Sequence, residues 1–376
     1  MYVQYFFEKS IFYFSGNGIP RFANTLGNHM VLQRAPQRAI VWGFGDSNTL
    51  TTLKMNDKIY TTMSESKITN EKGESIWSVT LDPVSDEGPF DIHVSQPSTN
   101  GTNVTITLTD VLFGDVWLCS GQSNMELTVG EIYNGTIEIA NAGNYPKIRV
   151  FSAARNYSST PLDELIRIYL NWSVASPLSI GGPPMEYMSA VCWLYGRMIQ
   201  QALGGRPIGL IDTSYYGTDI QTWMPPSALK ACNLTELSIL SYDMPSITIT
   251  DVIPTNYSCL FNSMINPFTR TVIYGVAWYQ GEANGASLTD DSYVCFFSKL
   301  IESWRELWHQ RTNGSTNIQF PFGFVQIGTE TNSSIPVGGK TWIRLRQTFN
   351  VGYVPNNVVP NVFMAISFDL RDDPHG

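Results

Sequence analysis

The stretch from 111 to 126, VLFGDVWLCSGQSNME, constrains the fold more than any other part of the chain. Its apolar and aromatic first half predicts a strand that is buried on both faces, and this strand stops at Gly121, where flexible and polar residues begin. Ser123 therefore lies just beyond the carboxyl end of a strand, which is where ligands bind in open α/β sheets. Gly121 permits a tight turn, and the backbone amides after the strand can point at a developing oxyanion. Ser123 is thus the candidate nucleophile.

Two later segments have the same design, an apolar strand followed by small residues that can form hydrogen bonds. One runs from 208 to 218 and ends in a turn with Gly217, and the other runs from 276 to 284 and ends at Asn284. Taken alone, Gly217 would be a turn glycine and Asn284 a helix cap or loop residue. As an ordered set of three strand ends with Ser123, they predict one site at the edge of a sheet.

Predicted strands and helices alternate from residue 111 onward. This rhythm predicts an α/β domain with a mostly parallel sheet that helices cover on both faces. Residues 218–256 show little periodicity and predict a surface loop above the site. The predicted strands are 111–119, 147–153, 207–214, 271–280, 320–328 and 361–370, and the predicted helices are 184–205, 291–310 and 340–351.

Residues 21–110 have a different texture, with short runs of β-branched and aromatic residues separated by Gly, Asn, Asp, Ser and Pro. They predict a small all-β domain of the sandwich type, which precedes the α/β domain of residues 111–376. We expect it to serve packing rather than sugar binding, since no ionisable groups cluster in it. Residues 1–20 predict an atypical signal or an unstructured N-terminus, because Glu8 and Lys9 interrupt the apolar run and no clean cleavage site follows.

Charge and motif content argue against several kinds of partner. The formal net charge is −9 and no lysine or arginine cluster occurs, which argues against nucleic acid and anionic membranes. No apolar run approaches the roughly 18 residues that span a bilayer, so we expect no membrane insertion. No set of His, Cys and carboxylate residues has zinc-site spacing and no Gly-rich phosphate loop occurs, so we expect neither a metal nor a nucleotide cofactor.

Glycosylation signals favour the secretory pathway, with a lysosomal or extracellular destination. Asn-x-Ser/Thr patterns exceed the roughly four or five expected by chance; they start at Asn100, Asn103, Asn134, Asn156, Asn171, Asn233, Asn256, Asn313 and Asn332. The cysteines are odd in number, so one thiol stays free if the others pair. Cys119 and Cys192 lie in apolar runs and are predicted to be small core residues, which leaves Cys232, Cys259 and Cys295 as the disulfide candidates.

Four strings carry a family resemblance: FGDVWLCSGQSNM around Ser123, YMSAVCW at 187–193, PIGLI at 207–211 and WYQGEAN at 278–284. They resemble the sialate O-acetylesterases of the SGNH hydrolase superfamily, and the resemblance extends from about Phe22 to the last residue. It implies a flavodoxin-like three-layer α/β/α fold and a serine esterase, without metal or cofactor, that removes O-acetyl groups from sialic acids or sialoglycans. The alternatives are an esterase for other acetylated carbohydrates such as xylan, and an inactive, truncated paralogue that at most binds glycans.

The same resemblance assigns roles to the residues at the three strand ends. Ser123 is the nucleophile, and its own backbone amide, the backbone amide of Gly217 and the side-chain amide of Asn284 form the oxyanion hole. A carboxylate such as Glu282 would repel an oxyanion at close range, so Glu282 is expected behind the site. The residues expected to support the site through hydrogen bonds are Gln122, Gln280 and Glu282.

Ser47 competes with Ser123, because Gly45-Asp-Ser47 matches the GDS nucleophile block that is frequent in the wider superfamily. A nucleophile block should run from a buried strand into a helix, whereas the residues after Ser47 are β-rich and cross a second turn at 56–57. Ser47 is therefore predicted to lie in a hairpin loop.

The general base is the least constrained part of the predicted site. Asp372 and His375 fit the generic Asp-x-x-His block of SGNH hydrolases, in which the aspartate orients the imidazole. In sialate O-acetylesterases, however, a Pro-x-Gly such as residues 374–376 precedes an Ile-His-Pro that carries the catalytic histidine. We therefore expect the base beyond Gly376, with Asp372 and His375 as the alternative acid and base. Without that base, we expect the chain alone to be nearly inactive as an esterase and poorly soluble. The remaining histidines, predicted to lie away from the site, are His29, His93 and His309.

Overall fold

A computed structural model of the protein describes residues 19–67, 74–97, 102–183, 186–234, 253–287, 292–328 and 339–367. The chain divides into two compact units that interleave in sequence. Among the described residues, the first contains residues 19–23, Trp42–Val79 and Ile92–Thr107, and the second contains Asn24–Val41, Thr80–Asp91 and residues 108–367. The sequence-based division between residues 110 and 111 stays a prediction.

In chain order, the described strands β1 to β14 are Arg21–Phe22, Val31–Gln33, Ile40–Gly45, Leu50–Met55, Lys58–Met63, Ser75–Thr80, Phe90–Pro97, Asn103–Gly121, Ile148–Ala153, Ile168–Val174, Ile208–Ser214, Gly275–Tyr279, Phe322–Gln326 and Val362–Ile366. The described α-helices α1 to α8 are Ser123–Glu126, Gly135–Asn141, Pro177–Ile180, Ala190–Ala202, Pro226–Ala231, Glu282–Ser287, Ser292–Arg311 and Gly339–Gln347. Short 3-10 helices cover Val129–Glu131, Ala142–Asn144, Ile220–Trp223 and Asn266–Phe268, and a π-helix covers Phe261–Ile265.

The first unit is built of β-strands. β1, β3 and β6 form one sheet, and the Trp77 side chain in β6 donates its Nε1 hydrogen to the carbonyl oxygen of Phe44 over 3.0 Å. β4 pairs antiparallel with both β5 and β7. Buried and exposed side chains alternate along β7, which is the pattern of a sheet with one face on a core. The predicted N-terminal all-β part is therefore present.

Ser47 lies in the turn between β3 and β4. These two strands belong to different sheets, so the prediction of a hairpin loop at Ser47 is wrong. The hairpin is the pair of β4 and β5, which is closed by the turn at residues 56–57. A strand pattern with a turn on each side does not reveal which of its neighbours the strand will pair with.

The second unit contains a sheet with the strand order β10-β9-β11-β8-β12-β13-β14. All neighbouring pairs are parallel except β9 and β10, which are antiparallel. The predicted α/β fold with a mostly parallel sheet is confirmed. β10 was not predicted, because most of its side chains are only half-buried and the strand lacks an apolar run. In register, Gly121 of β8 lies between Ser214 of β11 and Tyr279 of β12, so three strand ends meet.

Helices cover both faces of this sheet. Trp193 of α4 packs in one core cluster with Trp117 of β8, and Ala277 of β12 faces the same cluster. The next residue of β12, Trp278, points to the opposite face because side chains alternate along a strand. There it contacts Trp304 of α7 edge-on, with the ring centroids 5.7 Å apart. The predicted three-layer arrangement is thereby formed.

The three predicted helices are present with shifted ends. The helix predicted for 184–205 is α4, which starts later because the Ser189 hydroxyl caps it by accepting a hydrogen bond from the Cys192 amide over 3.2 Å. The helices predicted for 291–310 and 340–351 are α7 and α8. Within the described residues, no helix combines the length and the apolar character that crossing a bilayer requires.

The first described part of the segment predicted as a surface loop is buried. Thr218 and the 3-10 helix Ile220–Trp223 are withdrawn from solvent, and Trp223 meets Trp278 edge-on with the ring centroids 6.0 Å apart. The surface prediction is wrong for these residues, because a 3-10 turn is too short to show a hydrophobic period even when each of its side chains packs. Residues 235–252 of the predicted loop lie outside the described residues.

Two disulfides differ from the sequence-based expectation. Cys119 of β8 is bonded to Cys192 of α4, and Cys232 is bonded to Cys295 of α7. Cys119 and Cys192 are buried as predicted, but the prediction that they are unpaired core residues is wrong, because α4 brings their Cα atoms to 5.9 Å. Cys259 is the free thiol, and it is buried.

Candidate active site

Ser123 is the first residue of the single-turn helix α1, directly beyond the end of β8. Gly121 has a φ of +144°, and a Cβ there would overlap the carbonyl oxygen of Tyr279. Only glycine fits, because the turn leaves no room for a side chain. The Gln122 amide donates to the same carbonyl oxygen over 2.9 Å. The turn that carries Ser123 is therefore held against the end of β12.

The second turn follows β11 and carries Gly217. Tyr215 donates its amide hydrogen to the carbonyl oxygen of Gly121 over 3.0 Å, so this turn starts beside the Ser123 turn. Gly217 is exposed and has a φ of +69°, a conformation that glycine adopts without strain. The Thr218 hydroxyl donates to the carbonyl oxygen of Tyr215 over 2.8 Å and closes the turn.

The third turn leads from β12 into α6 and places Asn284 in the interior, with no exposed surface. Asn284 Oδ1 accepts hydrogen bonds from the Ile220 amide over 2.9 Å and from Gln280 Nε2 over 2.6 Å. Asn284 Nδ2 donates to Gln221 Oε1 over 2.9 Å. Tyr293 donates its hydroxyl hydrogen to Gln280 Oε1 over 3.0 Å. The orientation of the Asn284 amide is fixed by these partners, with its NH2 group as the donor end.

Gln122 and Asn124, on either side of Ser123, reach across to the third turn. Gln122 Oε1 accepts hydrogen bonds from the amides of Gly281 and Ala283 over 3.4 and 3.3 Å. Asn124 Nδ2 donates to Glu282 Oε1 over 2.7 Å, and burial of its carboxyl raises the pKa of Glu282. The structure thus brings Gln122, Gln280, Glu282 and Asn284 together at the Ser123 turn, while their roles in a reaction stay predictions.

Asp212 is a buried carboxylate in β11 that no motif singled out. Its Oδ1 accepts hydrogen bonds from the amide and hydroxyl of Ser214 over 3.2 and 2.7 Å, and its Oδ2 accepts one from the Ser189 amide over 3.2 Å. It therefore ties the end of β11 to the N-terminus of α4. Burial raises the pKa of Asp212 to about 7, although the Ser214 and Ser189 donors lower it. The signal that could have revealed it is a carboxylate inside an apolar strand.

At a pH near 3.8 we expect Asp212→Asn to lower the free energy of unfolding by about 1–3 kcal/mol, because the new NH2 group must face a backbone N–H donor. Folding raises the pKa of Asp212, so its contribution to stability is full below the ordinary value of 3.8 and is lost as the pH rises to about 7. The wild-type free energy of unfolding minus that of the variant, measured by urea unfolding, should therefore fall as the pH rises through that range. A difference that grows with pH would contradict this assignment.

Glu126 and Arg155 form a second pair that no motif singled out. Glu126 ends α1, and its Oε1 lies 3.2 Å from Arg155 Nη1. Burial raises the pKa of Glu126 to about 8; the Arg155 guanidinium lowers it and Asp212 raises it. Arg155 follows β9 in a segment without regular structure, so no sequence period marks it.

The described histidines are bonded to groups outside these three turns. Their Nδ1 atoms lie 2.7 Å from the Asp110 carboxyl for His29, 2.9 Å from the Thr107 hydroxyl for His93 and 2.9 Å from the Thr316 carbonyl oxygen for His309. Asp372 and His375 lie outside the described residues, so their role as acid and base stays a prediction. In the part of the chain that the structure describes, no group of three or more His, Cys, Asp or Glu side chains is placed to hold a metal ion.

The chain is similar to several known proteins. Among curated proteins, the chain is similar to the sialate O-acetylesterases of Homo sapiens, at 41% identity over 359 residues, and of Mus musculus, at 40% identity over 382 residues. These matches cover 95% of this chain but 66% and 69% of those proteins, so the chain spans about two thirds of their length. A crystal structure of a carbohydrate acetylesterase from Xanthomonas citri has the same fold, with a TM-score of 0.73 at 24% identity over 94% of this chain and 70% of that one.

The family model described as "Carbohydrate esterase, sialic acid-specific acetylesterase" matches residues 113–374. This match spans more than half of the chain and includes the strand ends that carry Ser123, Gly217 and Asn284. The chain therefore belongs to the family of carbohydrate esterases described as sialic acid-specific acetylesterases.

Proposed function

We propose that this protein is a serine esterase that removes O-acetyl groups from sialic acids, either free or within sialoglycans. The observation that carries the proposal is the hydrogen-bonded meeting of three strand ends, which joins the turn of Ser123 to the turn of Gly217 and to the helix of Asn284. The family description and the names of the mammalian relatives support the substrate class.

In the proposed reaction, the Ser123 hydroxyl oxygen forms a bond to the acetyl carbonyl carbon while a general base takes the hydroxyl proton. The carbonyl oxygen becomes an oxyanion that accepts hydrogen bonds from the backbone amides of Ser123 and Gly217 and from Asn284 Nδ2. The sugar oxygen then leaves with the proton, and water hydrolyses the acetyl-serine to release acetate. The expected base is a histidine beyond Gly376, and Asp372 and His375 are the alternative acid and base.

The partners of Asn284 determine which end of its amide is the donor. Because Oδ1 accepts hydrogen bonds from Ile220 and Gln280, a flip of the amide would set NH2 against two donors. An asparagine NH2 group is neutral and donates to an oxyanion without any change of protonation. Glu282 is bonded to Asn124, which supports the proposal that its carboxylate serves the scaffold rather than the oxyanion.

Parallel assays on O-acetylated sialic acid and acetylated xylan test the substrate class. We expect the full-length protein to release acetate preferentially from the sialic acid ester. Preference for xylan would indicate the alternative carbohydrate acetylesterase, and no acetate from either substrate would indicate an inactive paralogue.

We also propose that the protein follows the secretory route to a lysosome or the extracellular space. Disulfides persist in oxidising compartments, and the chain has two of them. Asn134, Asn171 and Asn313 begin glycosylation patterns and are exposed. Asn156 begins another such pattern but is only 3% exposed.

After expression in a glycosylating host, we expect a product whose electrophoretic mobility increases on glycosidase treatment. Peptide mapping should find glycans on the exposed asparagines and none on Asn156, because Asn156 and the hydroxyl residue of its pattern, Ser158, are both buried. An unchanged mobility would count against the secretory route, and a glycan on Asn156 would contradict the argument from burial.

A further inference from the structure

A guanidinium group lies between the turn that carries Ser123 and the turn that carries Gly217. Arg155 Nη1 is 3.2 Å from Glu126 Oε1, and the two side chains are only 17% and 4% exposed. Glu126 belongs to the same single helical turn as Ser123. The position of Glu126 is therefore tied through one helical turn to the position of Ser123.

The other side of the guanidinium faces the second turn. Arg155 Cζ lies 5.3 Å from the ring centroid of Tyr216 and 6.0 Å from that of Tyr215. Arg155 Nε donates to the Tyr169 hydroxyl of β10 over 3.2 Å, which fixes the direction of the guanidinium plane. A planar guanidinium can stack on aromatic rings and form an ion pair with a carboxylate at the same time.

Gly217 follows Tyr216 directly, in the turn that the Thr218 hydroxyl closes. It is exposed, carries no side chain and has a left-handed backbone conformation. The two tyrosines that precede it pack against Arg155, so their placement bears on the direction of the Gly217 amide hydrogen. An oxyanion hole is effective only when its donors are fixed in advance, and a misplacement of about 1 Å can cost about 100-fold in rate.

We propose that Glu126 and Arg155 act together as positioning residues that set the distance between the Ser123 hydroxyl and the Gly217 amide. Their proposed action is on the two turns and not on the substrate itself. The pair connects the helix of the nucleophile to the rings beside the oxyanion donor. This inference rests on the proposed function, since it requires that Ser123 attacks and that Gly217 donates.

Turnover of O-acetylated sialic acid by the Glu126→Gln, Arg155→Met, Arg155→Lys and double variants of the full-length protein tests the inference. At a pH above 8, where Glu126 is charged, we expect Glu126→Gln and Arg155→Met each to lower kcat by about 10- to 100-fold while KM stays within about twofold, because only transition-state stabilisation is lost. Arg155→Lys should not restore kcat, because an ammonium group lacks the planar fork. The double variant should be no slower than Arg155→Met by more than about twofold, since both changes break one unit.

Arg206→Met is the matched control. Arg206 Nη1 pairs with Asp115 Oδ2 over 2.8 Å, and the Asp115 side chain is 3% exposed. Asp115 lies six residues before Gly121 along β8, about 20 Å from the site. This variant should lose thermal stability and keep its kcat.

Suppose that kcat is unchanged in Glu126→Gln and Arg155→Met while Ser123 still reacts with a fluorophosphonate. This result would overturn the positioning role of Glu126 and Arg155 but not the proposed function. An equal loss of kcat in Arg206→Met would also overturn it, because the effect would then be one of general stability. Labelling of a serine other than Ser123 would overturn the proposed function, and the inference with it.

Discussion

Replacing Ser123 with alanine is expected to lower kcat for ester hydrolysis by about 10⁶-fold in the full-length protein, as loss of the nucleophile does in other serine hydrolases. Without the hydroxyl no acetyl-serine can form, and only the oxyanion donors and substrate binding assist the reaction. Such residual assistance amounts to about 10³–10⁴ over water. Steady-state assays of acetate release would measure this loss.

Ser47→Ala is the matched control for this prediction. Ser47 also follows a Gly-Asp sequence, but it lies in a turn between two strands of different sheets in the N-terminal unit. We expect this variant to keep wild-type turnover, and we expect a fluorophosphonate to modify the peptide that contains Ser123. A label on Ser47, or turnover that survives in Ser123→Ala, would remove Ser123 from the mechanism.

Asn284→Ala is expected to lower kcat by about 10²–10³-fold, the usual effect of losing one oxyanion donor. The same change leaves the Ile220 amide and Gln221 Oε1 without the partner that the structure gives them. The free energy of unfolding should therefore fall as well, by about 1–3 kcal/mol. Asn284→Asp should be at least as slow, since it places a carboxylate where negative charge develops.

A control variant at a second buried asparagine distinguishes the loss of kcat from the loss of stability. Asn262 is 3% exposed, and its Nδ2 donates to the Ser158 carbonyl oxygen over 3.1 Å. Asn262→Ala should lose stability to a similar degree and keep its kcat. If Asn284→Ala lowers stability but leaves kcat unchanged, Asn284 is a scaffold residue and not an oxyanion donor.

The placement of the three strand ends could be predicted because it depends on local sequence. Ser123, Gly217 and Asn284 each follow an apolar strand, and parallel strands bring their carboxyl ends to one edge of the sheet. The pattern of apolar and polar residues in each segment is therefore enough to predict that the three strand ends lie at one edge of the sheet. The reaction roles of these residues and the general base remain predictions.

Other features could not be predicted, because they depend on packing between distant segments. The Cys119–Cys192 bond forms because α4 lies on β8, and nothing in either apolar run indicates a partner. Arg155 lies beyond a strand end with no period or motif around it, yet it contacts two turns. Tryptophan contacts bury Ile220–Trp223, and the sequence of a short 3-10 turn has no period that predicts such contacts.

The two disulfides differ in how a reductant or an oxidant can reach them. Cys119 and Cys192 have no exposed surface, whereas Cys232 and Cys295 are half-buried. A reductant can therefore open Cys232–Cys295 in the native protein, but it reaches Cys119–Cys192 only after the core between β8 and α4 has opened. During biosynthesis we expect the buried disulfide to form before the half-buried one. The inner bond must form while that core is still accessible to an oxidant, and the outer bond can form after the chain has folded.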